Sequence, residues 1–188
     1  MFKKVGKKRI LNSGSHRPMP TQAQQLHFLE RWHNITPPAI KKQAKKTGNV
    51  IYGCRGINGI LGQALSRPTH DYDIYSKNPK KHAKQLEKHI DKTTGLDMAY
   101  VEAIPYTTQD NKKGTLYRVV TRPKGDVDAD FNMMPKQLNV TKVKGINYVS
   151  LKAAEKKFPG MLKEDKRVYN TMMDQYRIWH HRIMGGKG

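Results

Sequence analysis

The stretch "IYGCRGINGILGQALSRPTHDYDIYS", residues 51–76, constrains the fold more tightly than any other part of the chain. A short apolar run, "NVIYG", reads as a buried strand that ends at Gly53. Residues 55–65 read as a helix, with Ile57, Ile60 or Leu61, and Leu65 on one face. "RPTH" is a turn, and "YDIYS" is a second strand. Strand side chains at i and i+2 share a face, so Asp71 and Asp73 project together while Tyr72 and Ile74 turn the other way. Two carboxylates held side by side repel each other, and the pKa of one rises. A divalent cation removes that cost. Mg²⁺ takes oxygen ligands, one or two of them protein carboxylates and the rest water and phosphate.

Carboxylates are scarce in this chain, with 15 Asp and Glu against 36 Lys and Arg and a net charge of +21. Five of the fifteen fall in two clusters, Asp71/Asp73 and Asp126/Asp128/Asp130. The strand "DVDADF" places its three acids on one face, and Val127, Ala129 and Phe131 on the other. If it lies beside "YDIYS", a third carboxylate meets the first two. Three carboxylates suit two Mg²⁺ ions, the arrangement used for phosphoryl transfer. Gly53 supplies the complementary part. A glycine between a strand and a helix lets backbone approach a phosphate, and the helix N-terminus presents free N–H groups and partial positive charge. Arg55 stands at the same place.

The excess of cations points to a polyanionic partner, most often nucleic acid or nucleotide phosphates. Residues 1–50 contain eleven Lys and Arg and one acid, Glu30. Residues 1–20 read as a flexible basic arm. Thr21 caps a helix over about 22–33 with Ala23, Leu26, Leu29 and Trp32 or His33 inward; Pro37-Pro38 then separates it from a second short helix, about 38–46. That second helix carries Lys41, Lys42, Lys45 and Lys46, candidates for nucleic-acid phosphate contact. Asn78-Pro79 opens a helix to about His89, with Ala83, Leu86 and Ile90 inward. "MAYVEAI", "TLYRVVT" and "DVDADF" are strands, the first two joined by a polar loop at 107–114. Ser150 caps a short helix to about Phe158. A last helix, about 165–184, carries Tyr169, Met172/Met173, Tyr176 and Trp179/Ile183 on a side read as core.

The expectation is an α/β fold: a mixed β-sheet with helices, flanked by N- and C-terminal helices. Its parts are a basic arm (1–20), a helical extension (21–47), a core (48–150) and a helical segment (151–188). A glycine after a strand, a helix, Asp-x-Asp in a strand and a distant third Asp in a strand resemble the nucleotidyltransferase superfamily with the DNA polymerase β-like fold. The resemblance covers about residues 48–135. "YGCRGIN…PTHDYDIYSKNPKKHAKQLEKHI" looks most like catalytic domains related to viral poly(A) polymerases. It implies that Gly53, with Cys54, Arg55 and Asn58, holds the triphosphate of an NTP. It implies that Asp71 and Asp73 bind Mg²⁺ or Mn²⁺, and that a third Asp acts with them. Asp128 matches that third position best, with Asp130 the alternative and Asp126 solvated at the strand's start. The implied activity is transfer of a nucleoside monophosphate to a hydroxyl. The charge favours an RNA or DNA 3′ end over a small molecule or a protein as acceptor, and the expected nucleic-acid partner is RNA before DNA.

The chain departs from the family pattern in two places. Cys54 stands where Gly or Ser is usual, and the interval from Gly53 to Asp71 is longer than usual. Both features favour the alternative, an inactive relative that serves as a nucleic-acid-binding or structural subunit of a ribonucleoprotein or virion. The single cysteine, Cys54, permits no disulfide within the chain, and the basic N-terminus lacks the apolar segment of a secretory signal. Both fit a reducing compartment: cytoplasm, nucleoid or nucleus, or virion.

Overall fold

Apolar strand faces and two amphipathic helices assemble around one mixed sheet. The computed structural model describes residues 8–10, 17–107, 111–122 and 125–186. Its strands are β1 (Lys8–Ile10), β2 (Val50–Tyr52), β3 (Tyr72–Ser76), β4 (Ala99–Thr107), β5 (Lys113–Thr121), β6 (Asp126–Met133), β7 (Val140–Val143) and β8 (Ile146–Val149). The helices are α1 (Gln22–Thr47), α2 (Gly53–Leu61), α3 (Pro79–Thr94), α4 (Leu151–Glu155), α5 (Phe158–Met161) and α6 (Asp165–Ile183). The strands form a single sheet in the order β1-β4-β5-β6-β3-β2-β8-β7. The β3–β6 and β2–β8 pairs are parallel and the other neighbours antiparallel. This is the mixed α/β architecture expected from the sequence. Among the described residues no helix is long and apolar enough to cross a membrane.

One sheet face is covered by α1 and α3. Phe28, Trp32, Ile40 and Ala44 of α1 and Ala83, Leu86 and Ile90 of α3 pack in one cluster with Ile74, Val101, Val119 and Phe131 of the strands. A smaller cluster joins Ile57 and Leu61 of α2 to Leu151, Phe158 and Ile178 of the C-terminal helices.

Three expectations are corrected. First, α1 runs unbroken through Pro37 and Pro38. Two prolines remove two N–H donors and normally break a helix. Here Phe28, Trp32, Thr36, Ile40 and Ala44 form one buried stripe at four-residue spacing on both sides of the prolines. Burial of that stripe overrides the local break. Of the face expected inward, Trp32 is buried and Leu29 packs against the core, but Ala23 is exposed and Leu26 is more than half exposed. The expected cap does form: Thr21 and Gln24 make a capping box.

Second, "NVTKVKGINYVS", where no element is expected from the sequence, folds as the β7–β8 hairpin, turning at Lys144 and Gly145 with positive φ. Third, the apolar side of α6 faces outward: Tyr169, Met172, Tyr176, Trp179 and Ile183 are exposed, while Thr171, Asp174, Arg177 and Ile178 are buried. The expected flexible arm falls largely outside the described residues; within it, Lys8–Ile10 pairs with β4. Residues 108–110 of the expected polar loop also lie outside them.

Candidate active site

Asp73 is where three elements meet. β2 and β3 are antiparallel with Tyr52 opposite Asp73. The chain then turns sharply at Gly53, φ 65°, into the first turn of α2. A Cβ at Gly53 would collide with the Asp73 carboxylate, so glycine is required both for the left-handed backbone and for the close approach. On the other side of β3 lies β6, in parallel register with Asp73 opposite Asp130. Asp71, just before β3, is exposed and accepts a hydrogen bond from the Thr69 hydroxyl at 3.2 Å.

Asp71, Asp73 and Asp130 all line one cavity of about 620 Å³ beside the start of α2. The Asp73 carboxyl is pushed up to about 7, by burial first and then by the charges of Asp71 and Asp130. Asp130 is held by Arg118 of β5 through two hydrogen bonds of 2.8 and 2.7 Å. Arg118 faces Asp130 directly in the β5–β6 register.

Asp128 does not join this group. Between β5 and β6, Val119 pairs with Ala129 but Val120 pairs with Val127, so Asp128 is an extra, bulged residue. The bulge breaks the alternation that would set Asp128 and Asp130 on one face. Asp128 is fully buried and accepts a hydrogen bond from the Trp32 indole N–H, on the α1 side of the sheet. Burial pushes its carboxyl up to about 7 as well. Of the two candidates for the third carboxylate, the structure brings Asp130 to Asp71 and Asp73. Asp126 is partly buried and does not line this cavity.

The expected nucleotide-binding residues separate in the same way. Gly53 and Cys54 line the carboxylate cavity. The Cys54 thiol lies 3.9 Å from the Asn58 carbonyl oxygen and 3.8 Å from the Arg67 carbonyl, and burial raises its pKa. Arg55 points away; its guanidinium lies over the rings of Tyr72 at 4.7 Å and Trp32 at 5.8 Å and donates to the His70 carbonyl. Asn58 exchanges hydrogen bonds of 2.7 and 3.0 Å with the backbone of Arg67 and accepts one from Arg177, which fixes the loop between α2 and β3. Lys41, Lys42 and Lys45 line a different cavity, while Lys46 is exposed outside both.

Four cations around the carboxylates were not anticipated. Arg67 pairs with Asp174 at 3.2 Å, Arg118 clamps Asp130, and Arg167 of α6 and Lys157 both line the cavity and pull the Asp73 pKa down. The Lys157 ammonium lies 5.3 Å from each of the stacked rings of Tyr52 and Tyr75 and donates to the Tyr75 hydroxyl. No pattern in the sequence marks them. Only the register and the folding-back of α6 bring them in.

Among the described residues no three His, Cys, Asp or Glu side chains are gathered closely enough to enclose a metal ion. The donor set still suits a hard divalent cation of the Mg²⁺ type. Two carboxylates, Asp71 and Asp73, face the cavity without a bound arginine, and their mutual repulsion is one that a cation would relieve.

No protein-family model matches the chain, and no curated protein matches it in sequence. Among solved structures it is similar to the crystal structure of the Megavirus polyadenylate synthase, with a TM-score of 0.55 at 14% identity. The match covers 89% of this chain and 39% of that one. The likeness is one of fold: the chain shares a mixed α/β architecture with that structure.

Proposed function

We propose that the chain is a divalent-metal-dependent nucleotidyltransferase. It would transfer a nucleoside monophosphate from an NTP to a hydroxyl, at the 3′ end of a nucleic acid and of RNA before DNA. The observation that carries this reading is the placement of Asp71, Asp73 and Asp130 in one cavity, against the glycine that opens α2. The fold likeness to a polyadenylate synthase supports it.

In this reading Asp71 and Asp73 hold Mg²⁺ or Mn²⁺. When bound, the ion offsets phosphate charge and makes a hydroxyl more acidic. The N-terminus of α2 at Gly53 and Cys54 faces the triphosphate with its N–H groups. Arg67, Lys157 and Arg167 surround the same cavity with positive charge. The acceptor oxygen bonds to the α-phosphorus, the bridging bond to the β-phosphate breaks, and pyrophosphate leaves with the electron pair. The hydroxyl proton passes to a carboxylate of the cluster. Arg118 holds Asp130 in place and lowers the charge density beside Asp73.

Incubation with labelled NTPs, Mg²⁺ or Mn²⁺, and RNA and DNA primers tests the reading. Incorporation that disappears in Asp71→Asn plus Asp73→Asn is expected; incorporation that survives the double change sinks it. One observation favours a second reading, an inactive nucleic-acid-binding relative. The Arg118 clamp leaves Asp130 neutralised. Salt-dependent RNA binding without any transfer, unaffected by the aspartate changes, is its signature.

A further inference from the structure

The outer face of α6 is apolar and uncovered. Tyr169, Met172, Tyr176, Trp179 and Ile183 are each more than half exposed, from 56% to 74%. They recur at alternating intervals of 3 and 4 residues, the a and d positions of a heptad repeat, along one face of a 19-residue helix. Thr171, Asp174, Arg177 and Ile178, which this helix buries against its own chain, lie on the opposite side. The Tyr176 ring is already set against Trp179, with centroids 5.9 Å apart, and against His180 at 6.1 Å. Contiguous exposed apolar surface of this kind, anchored by Tyr and Trp, marks an interaction site.

The shape of the seam selects its occupant. A helix that packs on a core, or lies in a bilayer interface, presents a broad apolar face. Residues at a and d alone make the narrower seam that packs helix against helix. None of the five seam residues is charged, so neither an acidic nor a basic helix finds a counter-charge there. An identical seam does fit, because a and d knobs enter the holes between a and d residues of their own kind, and a contact of a surface with itself closes as a dimer. The area agrees. With Met184 beside them, at 74% exposure, these side chains offer on the order of 700 Å² per copy, close to the roughly 800 Å² per partner of a standard-size interface.

The inner face of the same helix forms a wall of the carboxylate cavity, through Arg167, Asn170, Thr171 and Asp174. Ion pairs of Asp174 with Arg67 and Arg177, and the buried side chain of Ile178, hold that wall to the rest of the chain. We propose that α6 pairs along its outer seam with α6 of a second copy of this chain, and that the pairing clamps the cavity wall from outside. The pairing stands on the geometry of the seam and does not depend on the transferase reading.

The test is sedimentation velocity of the nuclease-treated chain from about 0.5 to 100 µM, because interfaces of this size reach micromolar affinity or tighter. A monomer–dimer equilibrium is expected. It should strengthen as salt rises, since salt screens the repulsion between two copies of charge +21. Tyr176→Glu/Trp179→Glu should weaken dimerisation by about tenfold or more. Leu26→Glu/Val140→Glu, at exposed apolar positions on α1 and β7, should leave it unchanged. All four positions are exposed, so both variants should keep the melting curve of the dilute unaltered chain. In Trp32→Phe, Trp179 should be open to acrylamide in the dilute monomer and become protected as concentration rises, while the α6 amides exchange more slowly. A chain that stays monomeric at the highest concentration overturns the proposal, and if that monomer binds phosphatidylserine vesicles through the seam, the face belongs to a membrane. Equal weakening by the two double variants overturns it as well. So does a dimer that dissociates as salt rises, the mark of a bridging polyanion. Absence of nucleotide transfer by a chain with an intact, seam-dependent dimer counts against the transferase reading alone.

Discussion

Gly53 and Asp73 are coupled by direct contact, so the backbone at the start of α2 sets where the carboxylate sits. Gly53→Ala must accommodate both φ 65° and the collision with the carboxylate. The left-handed backbone alone should cost about 1–2 kcal/mol. Displacement of Asp73 should lower transfer more than unfolding stability, which urea titration and initial rates on one preparation will compare. Asp128 behaves differently. Its carboxyl and that of Asp73 ionise near 7 in the folded chain, against a reference value of 3.8. Between those values the folded state binds more protons than the unfolded state, so stability falls as pH rises from about 4 to 7 and levels off above. Asp128→Asn should flatten that fall in melting temperature while leaving transfer intact; melting curves that stay parallel contradict the assignment. Trp32→Phe removes the indole donor and should destabilise by about 1–3 kcal/mol. The pairing of Asp71 with Asp73 was legible because strand alternation is a local rule. The choice between Asp128 and Asp130 was not, because it turns on a bulge in the β5–β6 register. That bulge is a relation between two strands, and nothing in "DVDADF" alone encodes it.

At the scale of elements, strong local signals held where burial agreed with them. The Thr21 cap, the Gly53 turn, "YDIYS" and the proline opening α3 all sit where the sequence puts them. Removing the cap with Thr21→Ala should cost about 1 kcal/mol in chemical denaturation. The continuous α1 was hidden because proline is a local signal and the stripe from Phe28 to Ala44 is a tertiary one. α6 misled in the opposite sense. Its apolar spacing is clear, yet the face turned inward carries Asp174 and Arg177, tied to Arg67, Asn58 and the Leu65 carbonyl. A polar network together with buried Ile178, not the expected apolar stripe, docks this helix. The consequence is measurable with the two tryptophans, Trp32 at 6% exposure and Trp179 at 57%. Acrylamide should quench Trp179 strongly in Trp32→Phe and barely touch Trp32 in Trp179→Phe. Equal quenching in the two variants contradicts the outward orientation of α6.

For the whole molecule, the carboxylates and four of the cations meet in one cavity. Arg67, Arg118, Lys157 and Arg167 surround the carboxylates there, while Lys41, Lys42, Lys45 and Lys144 line another. The net charge of +21 was legible at once, but its distribution was not, because Lys144 lies on a hairpin that the sequence reading missed. Proton and cation compete for Asp73, so the rise in melting temperature produced by Mg²⁺ should be larger at pH 8 than at pH 6, and absent in Asp71→Asn/Asp73→Asn. The most direct measurement is a crystal structure of the chain with Mg²⁺ and a nonhydrolysable NTP. The account predicts metal on Asp71 and Asp73, phosphates at the Gly53 end of α2, Asp130 in the same cavity, and Asp128 still bonded to Trp32. Metal or triphosphate bound elsewhere, with Asp71 and Asp73 touching neither, would contradict it.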